Sequence, residues 1–303
     1  MASASDIRYF FESNTRDNND KANRIRENCL LILNTPTHEF FEDKDFGEKW
    51  CHLRREFESI LLKLTAEPCV SYNLKKEANR KNHDFDLLLN REKNTEIVTL
   101  EFKCSQKNDM PQFFTAYDYD RYFPETFAEF WYDRGGLDKM LELYPTKLTK
   151  PSRDEYLSQV YKYIGEKTEH PFFKQLYEWD IGQFGPKTDI YKRKNTHVQQ
   201  CIEDYLLHHL KSFDIAKFKE KLEASQKNKV YAMWNRRTKK FEVFKYSKLM
   251  LSPVKIDCIR LKHDIIIDTE DPNYQIKCLL RWKNHNGIGL PGYQISMVKK
   301  KDR

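Results

Sequence analysis

The chain is short of most features that mark common enzyme and secretory classes. Its seven cysteines, Cys29, Cys51, Cys69, Cys104, Cys201, Cys258 and Cys278, include no close pair. An odd number without Cys-x-x-Cys spacing argues against a disulfide framework and against a cysteine zinc site. Reduced thiols in an intracellular compartment, cytoplasmic or nuclear, are the expectation. Glycine is scarce, at 9 of 303 residues, and no glycine-rich phosphate loop is present. His-Glu-x-x-His, Gly-x-Ser-x-Gly and local cysteine–histidine signatures are also missing, which removes the zinc-protease, serine-hydrolase and nucleotide-loop readings. No apolar run approaches the roughly eighteen residues of a membrane span. Residues 1–20 are polar, unlike a signal peptide. The protein is expected to be soluble, not secreted and without a membrane partner. No internal repeat is visible.

What is present is charge and aromatic bulk. Lysine and arginine number 53 against 46 acidic residues, a formal charge of +7. This moderate basic bias fits a nucleic-acid partner without requiring one. Hydrophobic residues at 39%, with 14% aromatics, suffice for a core of one large domain or two modest ones. Little glycine and much Lys, Asn and Asp point to a helix-rich α/β protein.

One stretch organises the rest. His83-Asp84-Phe85-Asp86-Leu87-Leu88-Leu89-Asn90 leads through the polar Arg91-Glu92-Lys93-Asn94-Thr95 into Ile97-Val98-Thr99-Leu100-Glu101-Phe102-Lys103. Both arms are rich in β-formers and the link suits a hairpin turn. A period of two puts Glu101 and Lys103 on one face and Val98, Leu100 and Phe102 on the other. The same alternation groups Asp84, Asp86 and Leu88 opposite Phe85, Leu87 and Leu89. If the arms pair, an aspartate approaches Glu101 across the strands. Carboxylates beside a lysine in a buried sheet are costly unless a cation neutralises them. A solvated edge hairpin is the plain alternative, because charged triplets such as Glu42-Asp43-Lys44 also arise by chance in this chain.

Asp86 followed by Glu101-Phe102-Lys103 resembles the PD-(D/E)XK nuclease superfamily, which includes the restriction endonucleases. The likeness covers about twenty residues in a strand–turn–strand setting. Phe85 stands where that family often has proline, which leaves Asp84 as a rival to Asp86. The resemblance implies an α/β fold with a restriction-endonuclease-like mixed central sheet flanked by helices. It implies Mg²⁺, with Mn²⁺ as a substitute, held by Asp86 and Glu101, with Lys103 orienting the water or offsetting charge. It also implies a further acid on a helix before the hairpin, for which Glu56 is preferred to Glu58. A glutamine on a helix after the lysine is expected, Gln112 or Gln106, with Pro111 starting that helix.

Elsewhere, helices are expected over residues 21–34 and 46–64, the second carrying Trp50, Leu53, Phe57, Ile60, Leu61 and Leu64 inward. Residues 69–73 read as a short strand and 75–81 as a basic loop able to hold phosphate through Lys81. Ten aromatics between Phe113 and Tyr132 read first as core and second as base-stacking surface. Residues 187–195 read as another basic loop, and 155–164, 197–213 and 216–224 as helices. From residue 229 the texture turns β-like, giving three expected stretches: 1–145 with the nuclease core, 146–226 helical, and 227–303 a C-terminal β-rich elaboration for DNA recognition. Its basic tips offer Arg236, Arg237, Lys283 and Asn284 for phosphate or base contact. The expected partner is double-stranded DNA, and a homodimer is plausible for a palindromic site.

Overall fold

The computed structural model describes residues 4–12, 19–35, 39–64, 70–77, 84–105, 112–117, 120–160, 169–260, 264–282 and 291–300. In chain order these form α1 (Ala4–Glu12), α2 (Asn19–Leu30), α3 (Gly47–Leu64), β1 (Ser71–Lys76), β2 (Phe85–Asn90), β3 (Thr95–Ser105) and β4 (Gln112–Tyr117). Six helices follow: α4 (Phe127–Asp133), α5 (Gly136–Leu141), α6 (Arg153–Val160), α7 (Pro171–Ile181), α8 (Asp189–His209) and α9 (Ile215–Gln226). The chain closes with β5 (Lys229–Asn235), β6 (Lys240–Phe244), β7 (Pro253–Arg260), β8 (Asp264–Thr269), β9 (Tyr274–Trp282) and β10 (Pro291–Lys299).

The chain divides into two units, one of residues 1–111 with 225–246, the other of 112–224 with 247–303. This division cuts across the three consecutive stretches read from sequence. Strands β5 and β6 return to the first unit instead of joining a C-terminal β segment.

The first unit holds a mixed five-stranded sheet in the order β1-β2-β3-β5-β6. Strands β1, β2 and β3 pair antiparallel, β3 and β5 pair parallel, and β6 returns antiparallel. Strand β3 is therefore the central strand, and the charged hairpin does not lie at an edge. Because side chains alternate, Phe85, Leu87, Leu89, Val98, Leu100, Phe102, Val230, Ala232 and Trp234 all enter one core cluster. Helix α3 covers that face with Trp50, Leu53, Phe57 and Ile60, the three-and-four spacing read from sequence. Each such side chain contributes about 1.5–3 kcal/mol by burial. Helix α1 was not expected. It enters because Phe10 is fully buried and packs 5.3 Å from Trp50, ring to ring.

The second unit has an antiparallel sheet in the order β4-β10-β9-β8-β7. The helix expected from Pro111 is instead β4, whose Phe113, Phe114 and Tyr117 suit a pleated strand paired with β10. Strand β10 was hidden by Pro291 and Gly292, yet proline is tolerated as the first residue of a strand. The loop expected at 187–195 is the first part of α8, capped by the Thr188 hydroxyl, which accepts from the Tyr191 N–H at 3.2 Å. The aromatic run is core: Tyr122, Phe123, Phe127, Phe130 and Trp131 are buried. Here Asp180 and Lys194 form a buried ion pair, and the Tyr144 hydroxyl donates to the other Asp180 oxygen at 3.0 Å.

Candidate active site

Register decides which aspartate meets Glu101. Strands β2 and β3 pair Phe85 with Leu100 and Asp86 with Thr99. One step beyond Phe85, Asp84 stands opposite Glu101, whereas Asp86 is its diagonal neighbour. Directly opposite Cβ atoms lie about 4.5–5.5 Å apart, diagonal ones about 7–8 Å. Two hydrogen bonds hold Asp84 there: its N–H donates to the Leu100 carbonyl at 3.2 Å, and its Oδ2 accepts from the Phe102 N–H at 2.8 Å. Of the two aspartates considered from sequence, Asp84 and not Asp86 is the one set directly beside Glu101. Asp86 shares the face but sits two residues along, opposite Lys75 on β1.

Two lysines close on Glu101. Lys103 Nζ lies 2.5 Å from Oε1, and Lys229 Nζ lies 3.5 Å from Oε2. Lys103 follows from the strand period. Lys229 comes from the parallel pairing of β3 with β5, which sets Thr99, Glu101 and Lys103 beside Lys229, Tyr231 and Met233. The Lys229 side chain is 2% exposed. Beyond it the face is closed by Tyr231, whose hydroxyl donates to Gln226 Oε1 at 2.9 Å, and by the rings of Phe244 and Tyr246.

A third carboxylate comes from α2. Glu27 Oε2 is 3.2 Å from Lys76 Nζ, and Lys76 pairs with Phe85, next to Asp84. The Glu27 charge is felt by both Asp84 and Lys103. Glu56, the expected helix acid, lies on α3, which packs on the apolar face of the sheet, and its rival Glu58 is paired with Arg54 at 2.8 Å. The expectation of Glu56 is corrected: the face bearing Glu101 is reached from α2. A weak signal existed, since Glu27 is the only acid of α2 beyond its first turn.

Electrostatics set Asp84 apart. Burial, then the Glu101 charge, push its carboxyl up to about 7, while Lys103 and the Phe102 N–H oppose the rise. Burial alone lowers a lysine, but Glu101, Asp84 and Glu27 together hold Lys103 above the ordinary lysine range. Lys229 goes the other way: burial lowers it, and Lys103 adds to that against the pull of Glu101. A buried acid crowded by a second acid is a group whose charge a divalent cation would stabilise. Two carboxylates at facing strand positions could hold Mg²⁺ with waters completing its shell.

Arg236 and Arg237 form the β5–β6 turn just past Asn235, which pairs with Ser105 at the end of β3. Arg237 is exposed, while Arg236 is half-buried and donates to the Phe11 carbonyl at 3.4 Å. Burial raises the Cys104 thiol while Arg26, Arg236 and Lys239 oppose that rise, so positive charge gathers near the end of β3 on the core side of the strand. Gln112 opens β4 and belongs to the second unit. Lys81, His83, Gln106, Lys283 and Asn284 lie outside the described residues. No family model matches the chain, and no curated protein or solved structure matches it either.

Proposed function

We propose that this protein is a Mg²⁺-dependent endonuclease that hydrolyses phosphodiester bonds of DNA at particular sites. The observation that carries the reading is Asp84 opposite Glu101 on the central strand, with Lys103 two residues along on the same face. The mixed sheet with α3 on its apolar face agrees with the restriction-endonuclease-like fold implied by the nuclease resemblance.

Asp84 and Glu101 would hold the cation, which when bound would supply Lewis-acid polarisation of the phosphate and a more acidic water. Lys103, kept protonated by its three acidic neighbours, donates to the attacking water and offsets the charge that develops on phosphorus oxygens. Lys229 holds Glu101 from below, so that its carboxylate keeps one orientation. Glu27 adds negative charge at the same end of the sheet and orients Lys76. The exposed Arg237 holds the phosphate chain through charge, a sequence-independent contribution that weakens with salt, while Arg236 keeps its guanidinium turned inward towards the Phe11 carbonyl.

The test is digestion of long unmodified duplex DNA with Mg²⁺ by the parent, Asp84→Asn, Glu101→Gln and Lys103→Ala. Discrete fragments lost in all three variants support the full reading. A smear lost in all three keeps the nuclease and removes site specificity. No cleavage of duplex, single-stranded DNA or RNA by the parent removes catalysis and leaves a nucleic-acid-binding protein.

A further inference from the structure

The second unit contains a separate set of metal-ligating side chains. Among the described residues, Glu125, His208 and His209 are the one group of three or more His, Cys, Asp or Glu whose ligand atoms all lie within 4.8 Å of one another. The three converge for structural reasons. Glu125 sits in the turn just before α4, where Thr126 and Glu129 form a reciprocal capping box that fixes the chain entering the helix. The Tyr205 hydroxyl donates to the Glu125 carbonyl at 2.8 Å, fastening this turn to α8. His208 and His209 end α8. Successive residues of a regular helix point about 100° apart, but this end tightens into a 3₁₀ turn at Leu210–Ser212.

Two donors are already positioned. His209 is 8% exposed, with rings of Tyr205, Phe123 and Phe130 at 5.0, 6.1 and 6.1 Å. Its Nε2 lies 2.7 Å from Glu125 Oε1. His208 is exposed and stands edge-on to His209, with ring centroids 4.7 Å apart. A helix-end histidine bonded to one glutamate explains Glu125 and His209 alone. It gives no reason for the second imidazole to converge on the same carboxylate.

We propose that Glu125, His208 and His209 bind a divalent transition-metal ion of the Zn²⁺ class, with water in the remaining coordination position. Two imidazole nitrogens and one carboxylate oxygen are a borderline donor set, suited to Zn²⁺ and poorly suited to Mg²⁺. Three protein ligands leave a tetrahedral ion one open position. Tetrahedral bonds near 2.0–2.1 Å set ligand atoms about 3.3 Å apart, so Glu125 Oε1 and His209 Nε2 must open from 2.7 Å while the exposed His208 closes in by rotating its side chain. The site joins the turn at residue 125 to the end of α8 and stands independently of the nuclease reading.

The test uses the full chain, Co²⁺ as a spectroscopic probe and Zn²⁺ as competitor. The parent is expected to take one equivalent of Co²⁺ with visible d–d bands, and Zn²⁺ is expected to abolish them. His208→Ala and Glu125→Gln should each weaken Co²⁺ binding roughly tenfold or more. His208 is exposed, so its variant is the safer one for folding, and circular dichroism checks both. Equal binding by parent and both folded variants overturns the proposal. So does a thiolate charge-transfer band that vanishes in Cys201→Ser, or no binding by the parent at all.

Discussion

The buried Asp180 and the half-buried Asp84 each have a lysine nearby, and only one looks like chemistry. In the second unit Asp180 gives one oxygen to Lys194 and the other to Tyr144, with Asp180 and Lys194 side chains 0% and 4% exposed. One acid meets one base and a hydroxyl, so each carboxylate oxygen has a donor. In the first unit Asp84 shares its surroundings with Glu101 and Glu27, and the lysines there attend mainly to the other two acids. The contrast shows that a buried charge marks structure when it is matched, and marks a candidate site when like charges are crowded together. Burial raises Asp84 to about 7, and the neighbouring Glu101 charge adds to that rise where Asp180 has a lysine and a hydroxyl instead.

The largest expected effect breaks or upholds that contrast directly. Asp84→Asn and Glu101→Gln should each lower Mg²⁺-dependent cleavage by about a thousandfold or more, on the order of 4 kcal/mol of barrier, since each removes a proposed cation ligand. Lys194→Met, after correction for folded fraction, should leave cleavage unchanged. Equal loss in both sets of variants would erase the distinction between the two clusters.

Next in size is stability. Lys194→Met strands Asp180 in the core and should destabilise by about 3–5 kcal/mol in urea unfolding, whereas replacing both Asp180 and Lys194 by apolar residues should recover most of that. Asp84→Asn should show no such loss, because the Asn oxygen still accepts from the Phe102 N–H and a crowded charge is gone.

The third effect is a pH dependence of opposite hand. The Asp84 carboxyl rises from 3.8 unfolded to about 7 folded, so the folded state binds the extra proton. Stability from this group is present below the unfolded value, falls as pH rises from about 4 to 7, and is flat above. Metal-free parent protein should therefore lose about 2–4 kcal/mol relative to Asp84→Asn between pH 4 and pH 8. Added Mg²⁺ at pH 8 should restore stability in the parent only. A difference that does not change with pH would mean that Asp84 is matched as well as Asp180 is.

The sequence disclosed the parts of this site that depend on period and concealed those that depend on pairing. Alternation alone put Glu101 and Lys103 together and separated Val98, Leu100 and Phe102 onto the core face, as found. The α3 stripe was equally legible. Lys229 was not, because its place beside Glu101 comes from a parallel pairing between strands separated by more than a hundred residues. Glu27 was missed since helix acids were sought on the strongest helix, which serves the apolar face. Strand β10 was missed because Pro291 and Gly292 read as a turn, although the residues after them alternate through Tyr293, Ile295 and Met297. Asp84 and Asp86 share one face, so period could not choose between them; only register could.

That choice gives the smallest and most exacting prediction. Asp86 pairs with Thr99 and Lys75, one diagonal step from Glu101, and its charge is absent from the leading influences on Lys103. Asp86→Asn should therefore alter cleavage by only a few-fold and leave the pH dependence of stability intact, while Asp84→Asn changes both. Glu101 is common to either assignment, so its variants cannot discriminate. A thousandfold loss in Asp86→Asn with activity retained in Asp84→Asn would move the cation two residues along the strand, to the position the short motif first indicated. It would also mean that the crowding at Asp84, like the closure at Asp180, serves the fold alone.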